Sequence, residues 1–124
     1  MPPEERDPAS LWDMLDAARA VARFASGLSL AQFVADDSEM VRVAVERKLE
    51  ILGEAARRVS AAFREAHSEI PWPELVGLRN VISHEYDKVN YSEVYRIVTQ
   101  RIPRLIELLA ALAPRAPDHG EAQD

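Results

Sequence analysis

From residue 9 to residue 113 the chain contains little that would stop a helix. Only three prolines (Pro71, Pro73, Pro103) and three glycines (Gly27, Gly53, Gly77) fall in that span. The other five prolines, Pro2, Pro3, Pro8, Pro114 and Pro117, lie toward the ends. Asn-Gly and Asp-Gly hairpin dipeptides are absent, and no segment alternates polar and apolar residues with period two. A sheet needs such punctuation, so the chain reads as all-α. A length of 124 residues suits one domain with one core. The expectation is a single antiparallel bundle of four to five helices spanning about residues 9–113.

The apolar spacing places the helices. Leu11, Met14, Leu15, Ala18, Val21, Ala22 and Ala25 predict a helix from about Ser10 to Ser26, stopped by Gly27. Leu28–Ala35 supplies one or two turns. Asp36, Asp37 and Ser38 offer an N-cap and acidic charge for a long helix reaching about Ala66. Its stripe is Val41, Val45, Leu49, Leu52, Ala56, Val59 and Phe63, widened by Ala44, Ile51, Ala55 and Ala62. Pro71-Trp72-Pro73-Glu74 opens a shorter helix through Leu75, Leu78 and Ile82 to about His84. The last helix starts near Ser92 and carries Val94, Val98, Ile102, Leu105, Leu109 and Leu112. Pro103 should kink it unless a break falls there. Wide apolar faces on two long helices leave surface to spare, which makes a homodimer plausible.

Charge and composition narrow the function. The net charge is −6, of which −2 falls in residues 1–7 and −2 in residues 114–124. Both ends therefore read as solvated acidic tails, 1–8 and 114–124, and the middle is close to neutral. That balance argues against a protein holding polyanions by bulk charge. With no cysteine, disulfide scaffolds, thiolate zinc sites and a cysteine nucleophile are excluded. No apolar run approaches the roughly 18 residues of a membrane span, and the N-terminus lacks the order of a signal peptide. A cytoplasmic protein without membrane contact is expected.

Three histidines remain. His119 lies in the acidic tail. His67 sits near a helix C-terminus, where the dipole favours an imidazolium, beside Glu65 and Glu69. His84 lies in the polar run Arg79-Asn80-Val81-Ile82-Ser83-His84-Glu85-Tyr86-Asp87-Lys88. His84, Glu85 and Asp87 are compact, but no second histidine stands four residues away, so no metal or cofactor is expected. On an ideal helix Asn80 and His84 share a face, roughly 40° apart, while Arg79 lies roughly 140° from His84. Two readings stay open on spacing alone. These groups could cap a helix and pair locally, Arg79 with an acid and Asn80 with backbone. Alternatively, they gather arginine, asparagine, histidine and tyrosine into a reactive site at a helix end.

The segment Arg79-Asn80-Val81-Ile82-Ser83-His84-Glu85-Tyr86 resembles the Arg-x4-His-x-Tyr signature of HepT-like proteins of the HEPN superfamily. Leu49-Glu50-Ile51-Leu52-Gly53-Glu54-Ala55-Ala56 resembles that family's long-helix motif, Ile70-Pro71-Trp72 its Ile-Pro-Trp turn, and Pro103 a proline of its last helix. The resemblance covers roughly residues 10–112. It implies a HEPN bundle that dimerises, with both Arg-x4-His motifs near the dimer interface. It also implies the toxin of a toxin–antitoxin system, a metal-independent endoribonuclease acting on mRNA or tRNA. The implied antitoxin is a cognate minimal nucleotidyltransferase that transfers AMP from ATP onto the signature tyrosine, here Tyr86. The alternative within the same superfamily is a non-catalytic HEPN module that binds nucleotide or scaffolds that partner.

The residue types suit that chemistry. A neighbouring 2′-hydroxyl can attack phosphorus in line. His84 can move the proton near neutral pH. Arg79 offers a planar, permanently charged fork to phosphate oxygens. Asn80 can orient either group, and Tyr86 and Lys88 can contact RNA or phosphate. On the long helix Arg47, Glu50 and Glu54 sit at i,i+3 and i,i+4 spacing, so Arg47–Glu50 can pair and the group can position the active segment. Arg57, Arg58 and Arg64 can guide RNA or simply solvate a face. Trp72 reads as a packing residue at a helix start.

Overall fold

A computed structural model describes residues 3–82 and 89–113, and every regular element among them is helical. The elements are α1 (Pro3–Phe24), α2 (Leu30–Phe33), a 3-10 turn (Asp36–Ser38), α3 (Glu39–Arg58), α4 (Ala61–Ala66), α5 (Trp72–Val76), α6 (Leu78–Ile82), α7 (Tyr91–Arg96) and α8 (Ile102–Leu112). No helix among the described residues is long and apolar enough to cross a membrane.

Most of the core is the one the spacing marked, but Ala62 is exposed, Val41 and Phe63 are half-buried, and Phe33 and Ile70 join the core from outside the stripes. Met14 and Val21 of α1, Val45, Leu49 and Leu52 of α3, and Val94, Ile102 and Leu109 of α7 and α8 are fully buried. Each such side chain contributes about 1.5–3 kcal/mol by leaving water. α1 packs along α3 and also touches α8. Asp7 meets Ser60 and Asp13 meets Arg58, so the start of α1 lies beside the end of α3 and the pair is antiparallel. Phe33 is completely buried, with Tyr91 edge-on at 6.3 Å and Tyr95 tilted at 5.6 Å. The Tyr95 hydroxyl donates to the Leu28 carbonyl at 2.6 Å, closing the α1–α2 connection onto α7.

Several boundaries differ from the expectation, each for a physical reason. α1 begins at Pro3, not near Ser10, and residues 5–8 are part of it rather than a free tail. Asp7 is buried, and its carboxylate accepts from the Ser60 backbone N–H at 2.8 Å and the Ser60 hydroxyl at 2.7 Å. The long helix ends at Arg58, not Ala66. Val59 is extended, and Ser60 caps a new helix by accepting from the Phe63 N–H. The helix after Pro71 also divides, because Gly77 ends α5 and Leu78 opens α6. The final helix starts one residue early, at Tyr91, with the Asn90 side chain accepting from the Glu93 N–H. Instead of a simple kink, residues 97–101 form a π-helical turn ahead of Pro103. A widened turn relieves the proline ring from the carbonyl four residues back.

Gly53 fixes the approach of α5 to α3. A Cβ there would lie 3.0 Å from the Leu75 carbonyl oxygen. Gly53→Ala gains about 0.8–1 kcal/mol of helix propensity but forces a backbone carbonyl away, and overpacking costs about 1–3 kcal/mol. The expected result is a net loss of about 1 kcal/mol and a Tm lower by about 3–5 °C, measured by thermal unfolding.

Candidate functional site

Arg79 and Asn80 project from α6, which is held by the buried Leu78 and Ile82 at its two ends. α6 rests on α3 and touches α7. Upstream, the Trp72 indole N–H donates to the His67 carbonyl at 3.0 Å, and the Gly77 N–H donates to the Pro73 carbonyl at 3.0 Å. This short, wound-up connection presents Arg79 to solvent over α3. Both Arg79 and Asn80 are exposed.

Arg79 lines a cleft of about 210 Å³ together with Arg47, Glu50, Gly53, Glu54, Arg57 and Val76. The α3 residues of this wall, Arg47, Glu50, Glu54 and Arg57, continue a stripe that starts at Met40 and Val43, in steps of three and four residues. Only Arg47 and Glu50 pair within the cleft, at 3.4 Å and largely in water, which is worth a few tenths of a kcal/mol. Arg79 forms no ion pair with any described acid, so the local pairing considered for it is not found among the described residues. His84, Tyr86 and Lys88 lie outside the described residues, as does the Arg79–His84 angle expected from an ideal helix. The chain enters that stretch from buried Ile82 and leaves it at buried Val89.

The other candidates are sorted by their contacts. Arg58 pairs with Asp13 at 3.4 Å. Arg64 turns back to the carbonyls of Val59 and Arg57 at 3.0 and 2.7 Å, serving as a C-terminal clasp for α3. His67 stacks on Phe63 at 4.3 Å with Glu69 3.5 Å away, and ends α4. Trp72 is buried and packs edge-on against Phe63, as its place at a helix start suggested. No group of three or more metal-ligating side chains occurs among the described residues; the His84, Glu85 and Asp87 run falls outside them.

A polar network on the other flank of α3 has no signal in the sequence. The Arg42 guanidinium donates to the Phe33 and Ala35 carbonyls at 2.7 Å each and lies 5.0 Å over the Tyr91 ring. The Tyr91 hydroxyl donates to Glu46 at 2.5 Å. Burial, reinforced by the Glu46 carboxylate, raises the Tyr91 pKa above its usual range and keeps the phenol a donor. Arg42 and Glu46 stand at i,i+4, which signals a mutual pair, yet Glu46 accepts from Tyr91, 45 positions away, and Arg42 lies over the same ring. Nothing local could have announced that.

Residues 14–112 match the family model described as HepT-like: Ribonuclease HepT-like. The chain belongs to the HepT-like ribonuclease family. It is 38% identical over 97 residues to "Putative RNase MJ1380" of Methanocaldococcus jannaschii, covering 78% of this chain and 87% of that one. It is 40% identical over 79 residues to "Putative RNase TTE0752" of Caldanaerobacter subterraneus subsp. tengcongensis, covering 64% and 69% of the two chains. It is 32% identical to "Probable ribonuclease HepT" of Thermococcus cleftensis, covering 77% and 84%. No solved structure matches the chain. The HepT-like match begins inside α1 and ends at the last residue of α8, so the Arg79 cleft lies wholly within it.

Proposed function

We propose that this chain is the toxin of a two-component toxin–antitoxin system, a metal-independent endoribonuclease that cleaves RNA with Arg79 and His84. The observation that carries the reading is an exposed Arg79 without an acidic partner among the described residues, lining a cleft five positions before His84 in a HepT-like chain. In the proposed step His84 takes the proton of the ribose 2′-hydroxyl. The 2′-oxygen attacks phosphorus, the P–O5′ bond breaks, and the departing 5′-oxygen takes a proton from water. The products are a 2′,3′-cyclic phosphate and a 5′-hydroxyl. Arg79 binds the phosphate oxygens as charge builds on them, Asn80 orients the histidine or the phosphate, and Lys88 adds a phosphate contact. Purified protein incubated with RNA and excess chelator is expected to leave 2′,3′-cyclic ends; intact RNA under all conditions would refute the reading and leave the non-catalytic module.

Two partners belong to this proposal. One is a second copy of the chain. Leu30 and Val34, at the start of α2 and just after it, and Met40 and Val43, on the first turns of α3, are exposed apolar residues, and the latter two lie on the stripe that continues into the cleft. The other is a cognate nucleotidyltransferase antitoxin. It would join the Tyr86 hydroxyl oxygen to the α-phosphorus of ATP and release pyrophosphate. The added phosphodiester charge and nucleotide would then compete with RNA for Arg79. Tyr86→Phe toxin co-expressed with antitoxin is expected to escape neutralisation, read as growth arrest where the wild-type pair grows. Full neutralisation of Tyr86→Phe would rule out modification as the mechanism.

A further inference from the structure

Arg57 and Arg58 lie in the last turn of α3 and Arg64 in the last turn of α4, and the structure gives each a different task. Arg58 is spent on Asp13, and Arg64 on two backbone carbonyls. Arg57 is exposed, has no ion pair among the described residues, and lines the same cleft as Arg79. Glu54, one turn before it, lines the cleft as well and is likewise unpaired among the described residues. Val76 adds an apolar wall, and Gly53 keeps the floor free of a side chain. In the cleft Arg47, Arg57 and Arg79 thus face Glu50 and Glu54, in a chain whose net charge is −6.

We infer that this cleft is a second RNA subsite, in which Arg57 binds the phosphate of a nucleotide adjoining the scissile phosphate held by Arg79. The cleft offers a cation for phosphate, an unpaired carboxylate for a sugar or base donor, and an apolar wall. That combination suits a nucleotide better than a bare anion, which Glu54 would repel. Because the rest of the chain is acidic, RNA affinity depends on this cleft rather than on bulk charge. Arg57 is a substrate-binding residue here, not a participant in proton transfer.

The inference rests on the ribonuclease reading, and its test separates the two. Binding of a labelled single-stranded RNA is measured by anisotropy over a salt series, in the His84→Ala background so that RNA stays intact. Adding Arg57→Ala is expected to weaken binding about tenfold and to lower the salt slope by about 0.7, one phosphate contact on a single strand. Arg58→Ala is the neighbouring control and is expected to change neither. In the cleaving protein, Arg57→Ala should raise KM with kcat within about threefold, since lost uniform binding appears in KM. Arg57→Lys should recover part of the affinity and the full salt slope, which separates a charge role from a folding defect. If wild-type protein cleaves RNA while Arg57→Ala matches it in affinity, slope and KM, the subsite is overturned and the ribonuclease reading stands. If the protein neither binds nor cleaves RNA, both fall together.

Discussion

His84→Ala protein is expected to cleave RNA about 10²–10⁴ times more slowly than wild type, the usual worth of one positioned proton-transfer group. The loss should appear in kcat and leave KM nearly unchanged, because in the proposed step the imidazole would act on the reacting hydroxyl and not on the phosphates that hold the strand. Arg79→Ala should lose about 10²–10³-fold, since a charged donor aimed at a developing negative charge is worth most in the transition state. Arg79→Lys keeps the charge but not the two-pronged geometry, so it should fall between wild type and alanine. Arg79 is exposed and unpaired among the described residues. Its replacement should therefore leave the unfolding temperature within a degree or two, which separates lost chemistry from lost fold. Time courses on a defined RNA, with growth of cells expressing each variant, provide both readouts. Equal toxicity of His84→Ala and wild type would contradict the assignment.

The largest expected effect on stability lies far from the cleft. Asp7→Ala removes a buried carboxylate that receives two hydrogen bonds from Ser60, one from the backbone and one from the hydroxyl. Bonds to a charged acceptor contribute about 1.5–3 kcal/mol, and the two Ser60 donors would be left buried and unmet. The expected cost is about 2–3 kcal/mol, a large share of the 5–15 kcal/mol that holds a domain of this size. The unfolding temperature should fall by roughly 10 °C, seen by calorimetry or circular dichroism. Truncating residues 1–8 should cost at least as much, because it removes the same carboxylate together with the first turns of α1. A truncated protein with unchanged stability would show that those residues behave as a tail after all.

These two cases mark what the sequence could and could not convey. The buried stripe from Val45 to Val59 follows from spacing alone, because a helix repeats its face every three or four residues. The same spacing concealed the break at Val59 and Ser60, since the pattern runs on to Phe63 across it. Asp7 read as a solvated charge because its partner is 53 positions away, and no local pattern encodes a contact of that range. At the site, Arg79 and Asn80 stood out by their place in a motif. Arg57 did not stand out from its neighbour Arg58, since both are arginines at the end of one helix. Adjacent helical residues point about 100° apart, so one meets Asp13 across the α1 packing and the other meets the cleft.

The α3 stripe also provides a chemical reporter. Met40, on its apolar end, is 86% exposed, whereas Met14 in the core is completely enclosed. Peroxide converts an accessible thioether to its sulfoxide and spares an enclosed one. Within one chain, then, Met14 serves as the reference and Met40 as the gauge. Its oxidation rate records whether that surface is bare or covered, and the sulfoxide it forms would itself make the apolar end of the stripe polar.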